Sequence, residues 1–374
     1  MHRFALAHTT GTHAEELVAE LLRQLGEQPD ATLGFIYASD ALAPQLAQIL
    51  QGLRAGTGVE RWVGSVGIAI SVTGHEYYDS PALAVMLGDF PPAALCEVPL
   101  LRDGLETFLG NCHEWLAQHA AGGLFGLLHG DPGNPATPLL IEQFAKRLPN
   151  LFAVGGITSS QSENLQVAGG AVVQGGVSGM LFAPDVAAAT AHSQGCTPIG
   201  PRRRITRSRR NVLVELDGRP ALEVFKQDIG EVLARDLNRA AGYIFAGLLV
   251  AGSDEGDYLV RNLVGIDAAQ GLVAIGDYAE EGAELMFCRR DGNTARIDLL
   301  RMLGDLRGRI DAPPRGAVYI SCLGRGRNQF GGESQELRLI GQELGDVPLL
   351  GFFANGEIFA NRLYGYTGVL TLFL

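Results

Sequence analysis

Three stretches of this chain carry the same order of elements, and that repetition constrains the fold more than any other feature. In each, an apolar strand ends in small or polar residues, a helix follows, and a later strand is entered through glycine. The first copy runs through Thr32–Asp40, a helix at Leu42–Leu53, then Arg61–Ile70 and Pro81–Phe90. The second runs through Gly123–Asp131, a helix at Pro138–Leu148, then Leu151–Ser159 and Ala171–Ala183. The third opens with GAVYISCLGRG (Gly316–Gly326), continues with a helix at Glu333–Leu344, and ends in Val347–Phe359 and Thr367–Leu374. The strand ends Ser39/Asp40, His129/Asp131 and Ser321/Cys322/Arg325, with the glycine entrances Gly64, Gly155/Gly156 and Gly351, are predicted to converge on one rim. Ligand sites of α/β folds gather at strand ends. Glycine there serves close backbone packing equally well.

Apolar spacing predicts further helices at His13–Leu25, over Leu105–Leu116, at Pro184–His192, at Ile229–Ala240 and at Ala295–Gly304. Thr12 and Glu15 have the spacing of a capping box for the first of these. Asn211–Phe225 alternates and turns at Asp217-Gly218, as a hairpin does. Tyr243–Gly252 reads as a buried strand, and Tyr258–Asp291 as strands joined by tight turns. Strands that alternate with helices but also run in hairpins predict α/β, a layered α+β arrangement with mixed sheets. Prolines, glycines and a change of charge coincide in Gly195–Thr206 and place a boundary near 198, giving domains 1–198 and 199–374.

The chain has 374 residues and a net charge of -12, which argues against a general nucleic-acid binder. The basic run Pro201–Arg210 reads as a solvated strand or linker. The five cysteines are odd in number and lack CxxC spacing, so neither a disulfide framework nor a structural zinc is expected. GxGxxG, GxxxxGK[ST] and HExxH are absent, so no cofactor and no metal is expected. No signal-peptide pattern and no apolar run of ~18 residues is present, which predicts a cytoplasmic protein without a membrane span.

Several residues have a type and position suited to chemistry. Arg325 lies in a glycine-flanked loop after a strand, where its guanidinium can fork to a carboxylate or phosphate. The alternative is an ion pair with Glu357, or with another carboxylate, that fixes the loop. Glu357 and Asn355 lie in the apolar stretch GFFANGEIF, where an acid needs a partner. An Arg325–Glu357 pair that lines a cleft would suit an amino acid zwitterion. Arg261 and Asn262 interrupt an apolar strand and suit either ligand contact or one exposed strand face. Cys322 beside Arg325 is the one candidate nucleophile, and a small core residue otherwise. His129 and Asp131 mark the matching strand end of the second copy and suit hydrogen bonding.

The combination of Gly218-Arg219-Pro220-Ala221, Leu259–Asp267, Ser321–Gly326, Gly351-Phe352-Phe353 and Gly356-Glu357-Ile358 resembles the C-terminal domain of the FIST proteins. Val63–Gly67 and Val154–Ser160 resemble the N-terminal one. The resemblance implies small-ligand sensory input in signal transduction, with an amino acid or other small carboxylate as ligand and a signalling protein as partner. This chain has no room for the output domain that FIST modules are joined to elsewhere, so a stand-alone binding protein is the expectation. An enzyme, a hydrolase or transferase using Cys322 or a carboxylate, and a protein-interaction module are the alternatives.

Overall fold

The computed structural model describes residues 3–237, 243–250 and 258–374. One compact unit comprises the chain up to Ser193 together with Asp298–Leu374; a second comprises Gln194–Ile297. The first repeat contains β1 (Ala5–Thr10), α1 (Ala14–Leu25), β2 (Leu33–Ser39), α2 (Leu46–Thr57), β3 (Arg61–Gly67), the hairpin β4 (Ile70–Val72) and β5 (His75–Tyr77), and β6 (Ala82–Gly88). The second contains β7 (Leu95–Leu101), α3 (Glu106–Asn111), α4 (His113–His119), β8 (Leu124–Gly130), α5 (Thr137–Arg147), β9 (Leu151–Ile157), the hairpin β10 (Gln166–Gly169) and β11 (Ala171–Val173), and β12 (Val177–Phe182).

The third repeat starts with β13 (Ala188–Gln194) and is interrupted by the second unit. That unit holds β14 (Cys196–Pro198), β15 (Arg203–Arg209), β16 (Val212–Leu216), β17 (Arg219–Pro220), α6 (Ala221–Ala234), β18 (Ile244–Leu249), β19 (Tyr258–Asp267), β20 (Leu272–Ile275) and β21 (Glu284–Arg290). The repeat resumes with α7 (Gly292–Gly308), β22 (Gly316–Cys322), α8 (Arg327–Phe330), α9 (Gln335–Leu344), β23 (Leu349–Ala354), the hairpin β24 (Glu357–Phe359) and β25 (Arg362–Tyr364), and β26 (Thr367–Phe373).

Each repeat builds one mixed sheet around a parallel pair: β2 with β3, β8 with β9, and β22 with β23. The hairpins are exchanged in a cycle. That of the first repeat pairs beside β23, that of the second beside β3, and that of the third beside β9. No sheet of this unit is complete without strands from another repeat. The inner faces share one core that includes Phe35, Tyr37, Leu127, Val154, Val318, Ile320 and Phe352. The outer faces are covered by helices: Leu17, Leu21 and Ile49 on the first sheet, Leu140 and Phe144 on the second, and Leu303, Leu337 and Ile340 on the third. The expected mixed α/β layering is therefore present, and its repeat is cyclic.

The glycine entrances fix the equivalence of the repeats. A Cβ on Gly64, Gly155 or Gly351 would stand 1.7, 1.8 or 1.6 Å from the carbonyl oxygen of Ile36, Leu128 or Tyr319. These three contacts superimpose in register, so Tyr37, His129 and Ile320 are equivalent, as are Ser39, Asp131 and Cys322.

In the second unit, β21, β15, β16, β20, β19 and β18 pair in that order, and β18 pairs back with β21. The ring removes the free strand edges an open sheet would expose. Its core takes Leu222, Val224, Phe225 and Ile229 from α6.

Several local expectations are corrected. Pro184–His192 is not helical: residues from Ala188 form the edge strand β13 beside β26, and sheet pairing overrides alanine's helix preference. The capping box at Thr12 is absent; the helix starts after His13, and the Gln45 side chain accepts from the Ala14 N–H at 2.9 Å. The turn Asp217-Gly218 has positive φ at both residues, 52° and 75°, but its return strand is only β17. The helix expected at Ile229–Ala240 begins already at Ala221 and breaks at Gly230, with φ 79°. Residues 238–240 of that expectation, and 251–252 of the strand expected at Tyr243–Gly252, lie outside the described residues. The expected boundary near 198 is one of chain order; in space the chain from Asp298 onward groups with the N-terminal repeats. Its strands need their hairpin partner β4 from the first repeat.

Candidate functional site

The strand ends of the three repeats meet, as the pattern of polar ends and glycine entrances predicts. The Tyr37 hydroxyl lies 3.0 Å from His129 Nε2, and its ring stacks on Phe352 at 5.1 Å. Ser159 ties all three repeats: its Oγ accepts from the Ile68 N–H at 3.0 Å and donates to the Phe353 carbonyl at 2.5 Å. The Asn355 N–H donates to Ile157 O at 2.9 Å.

The exchanged hairpins bring a second set of equivalent positions to this rim. Ile70, Gln166 and Glu357 pair with Phe352, Ser65 and Gly156, respectively. In the second sheet one row across the strands therefore reads Glu357, Gly156, His129, Ser178. All of its side chains are buried. Ser178 Oγ donates to Gln166 Oε1 at 2.5 Å, and Gln166 Nε2 donates to Gly176 O at 2.9 Å. His129 Nδ1 has no hydrogen-bond partner among the described residues. Burial holds this imidazole neutral, with a pKa lowered to about 3.

Glu357 is wholly buried. Its Oε2 accepts from the Thr367 N–H at 3.1 Å and from Thr367 Oγ1 at 2.9 Å. Its Oε1 lacks a hydrogen bond of normal geometry, with the Cys322 thiol as a nearby polar neighbour. Burial raises the carboxyl pKa to about 8, against the opposing pull of the Thr367 bonds and Arg325. Cys322 is 9 % exposed, and burial followed by the Glu357 charge pushes its thiol far above the ordinary cysteine range. Asn355 is exposed. Asp131 is a turn anchor whose Oδ1 accepts from Gly133 N at 2.6 Å and whose Oδ2 accepts from Gly175 N at 2.8 Å.

Arg325 is fully buried and is paired with Glu336, not Glu357. Its Nε and Nη2 donate to Glu336 Oε1 at 2.8 and 2.6 Å, and Nη1 donates to Ser193 O at 3.2 Å. Glu336 also accepts from the Tyr319 hydroxyl at 2.5 Å, from Ser321 Oγ at 3.2 Å and from the Gly326 N–H at 3.0 Å. Every oxygen and most guanidinium donors of the pair are thus engaged, which is what a buried ion pair requires. The loop Gly324–Gly326 is fixed by this network. Arg261 and Asn262 belong to the barrel of the other unit. There Arg261 Nε bonds Asp277 Oδ2 at 2.7 Å, and Asn262 is exposed with its carbonyl accepting from Gly276 N at 2.8 Å.

Two acids escaped the sequence reading. Glu336 lies three and four residues before the buried Leu339 and Ile340, on the apolar stripe of α9, and that spacing was the available signal. Glu76, also buried, accepts from the Tyr78 hydroxyl at 3.0 Å and from Ser334 N at 3.2 Å. Burial, then the Glu336 charge, raises its pKa to about 7. No sequence signal marks it, because β5 is three residues long.

These groups make stability depend on pH. For Glu357 and Glu76 the folded pKa, about 8 and about 7, exceeds the ordinary 4.5. Their contribution is present below 4.5 and is lost as pH rises through the folded values. His129 has the opposite sign: its contribution is present above 6.5 and is lost as pH falls toward about 3. Denaturant unfolding is expected to show stability falling between about pH 4.5 and 8, by up to about 1.4 kcal/mol per unit for each carboxyl, with His129 offsetting part of the fall below 6.5. Glu357→Gln is expected to reduce that slope; an unchanged slope would show that Glu357 does not titrate there.

Among the described residues no helix is long and apolar enough to cross a membrane. The FIST N domain matches residues 32–219, and the FIST C domain matches residues 221–360. An uncharacterized protein of Mycobacterium tuberculosis, Rv0628c, is 30% identical over 353 residues, covering 91% of each chain. An uncharacterized protein of Mycobacterium bovis, Mb0898c, is 30% identical over 361 residues, covering 93% of this chain and 92% of its own. FIST domains are associated with small-ligand sensing in signal transduction. With both domains matched in order over most of its length, this chain belongs to the FIST family.

Proposed function

We propose that this protein binds a small ligand, an amino acid or another small carboxylate, at the strand-end rim around Glu357, as a sensory component of cytoplasmic signalling. The observation that supports this reading is Glu357 itself. It is a wholly buried carboxyl with one oxygen lacking a normal hydrogen bond and a pKa of about 8, on a strand of the third repeat that pairs with the second. A buried acid left in that condition costs stability, and such groups concentrate at functional sites. Asn355, two residues away in the chain, is exposed.

In the proposed complex the ligand's ammonium pairs with Glu357, which ionises on binding, and Asn355 bonds the ligand's carboxylate. Cys322 lines the site. Arg325, held by Glu336, fixes the Gly324–Gly326 loop beside it, while His129 and Asp131 set the adjoining strand end. A signalling protein partner reads the liganded state. The cysteine-nucleophile alternative is disfavoured, because the thiolate is the reactive form and the Cys322 thiol is pushed far from ionisation.

A thermal-shift screen against amino acids and small carboxylates tests the reading. Ligand at ~100 times Kd adds about 2.7 kcal/mol, a visible rise in Tm. A well-folded protein that no amino acid or small carboxylate stabilises would overturn it.

A further inference from the structure

Two of the five cysteines stand together where the sequence spacing gave no sign of a pair. Cys96, in the edge strand β7, has its Sγ 3.1 Å from the Sγ of Cys112, at the junction of α3 and α4. The two are 16 residues apart in the chain. Both are free thiols; Cys96 is buried and Cys112 is half-buried. A disulfide bond is about 2.05 Å long, so the sulfurs need to approach by only about 1 Å.

We propose that Cys96 and Cys112 are a site of reversible oxidation, closing a disulfide that fastens the α3–α4 helices to the edge of the second sheet. The oxidant is a peroxide. The more exposed Cys112 sulfur attacks a peroxide oxygen, the O–O bond breaks, and Cys112 becomes a sulfenic acid with release of one water from hydrogen peroxide. The Cys96 sulfur then attacks the Cys112 sulfur, the S–O bond breaks, and a second water leaves with the Cys96 proton. Two thiols lose two electrons and two protons, and one hydrogen peroxide becomes two waters. A thiol reductant reverses the change.

The barrel supplies an internal comparison. Cys196 and Cys288 also interact, but both are buried, and the Cys288 thiol donates to the Phe245 carbonyl at 3.6 Å. Neither offers a half-exposed sulfur to the oxidant, so this pair is expected to stay reduced under the same exposure. Cys322, also buried, has no neighbouring cysteine partner among the described residues.

Purified full chain is titrated with hydrogen peroxide, the remaining thiols are alkylated, and the digest is mapped by mass spectrometry without reduction. The expected result is a peptide pair joined through Cys96 and Cys112, lighter than the two free peptides by two hydrogens. It disappears on treatment with dithiothreitol. The crosslink is expected to persist in Cys288→Ser and to be lost in Cys112→Ser, which should show oxidation at no second site. Failure to form the crosslink in the wild-type map overturns the proposal, whether Cys112 stays reduced or stops at sulfinic acid. So does a Cys196–Cys288 crosslink that forms first. The wild-type map decides the question even if Cys112→Ser does not fold.

Discussion

Glu336→Ala is expected to destabilise the protein by about 3–5 kcal/mol, because it strands a buried arginine. Arg325 is wholly buried, and Glu336 is its only carboxylate partner within ion-pair distance among the described residues. The same substitution also removes the acceptor of the Tyr319 hydroxyl, Ser321 Oγ and the Gly326 N–H. A loss of that size is a large fraction of a typical total stability of about 5–15 kcal/mol. It should appear as a large fall in the denaturant midpoint. Arg325→Ala is expected to fall in the same range, since it leaves Glu336 charged and buried. An effect below about 1 kcal/mol for either variant, the size of an exposed pair, would show that the pair is hydrated.

Gly155→Ala is expected to be at least as damaging, above about 4 kcal/mol. The backbone there has φ +146°, and the added Cβ would meet the Leu128 carbonyl oxygen at 1.8 Å. No rotamer relieves a Cβ clash with backbone, so β8 and β9 must separate or the chain must leave its conformation. Soluble yield and the circular dichroism melting curve read the loss. Gly304→Ala is the control. It lies in α7 with nothing within 4 Å of the added carbon, and alanine there should gain up to about 1 kcal/mol. If Gly155→Ala melts like wild type, the equivalence of Gly64, Gly155 and Gly351 does not rest on tight strand pairing.

The repeat was legible because each parallel strand is buried on both faces and reads as an apolar run with small residues at its end. TLGFIYAS, GLFGLLHG and GAVYISC announce themselves in that way. The exchange of hairpins was not legible. Its strands are three or four residues long, and nothing local specifies that Ile70–Val72 pairs with β23 while its own repeat's β3 takes Gln166–Gly169. Partner choice there is set by packing across repeats, which single-strand propensity does not encode. Ala188–Gln194 misled for the same reason. The return of the chain from the barrel falls inside α7, where no proline or glycine cluster marks it.

The rim was legible from strand ends, and the partner of Arg325 was not. Glu357 and Glu336 are both buried acids near Arg325, and the loop's path decides between them. That path depends on Gly326, with φ 54°, packed against Tyr78 and Phe353. Tyr78 comes from the first repeat, 249 residues from the Arg327 N–H it accepts from at 3.3 Å.

The most direct test is calorimetric titration of the stabilising amino acid into wild type and Glu357→Gln, in two buffers of different ionisation enthalpy near pH 7. Pairing of the ligand's ammonium with a carboxyl whose free pKa is about 8 releases protons, so the apparent binding enthalpy should differ between buffers. Glu357→Gln should bind at least about tenfold more weakly, a loss of about 1.4 kcal/mol, and its enthalpy should no longer depend on buffer. Equal affinity and equal proton release in the two proteins would contradict a ligand site at Glu357.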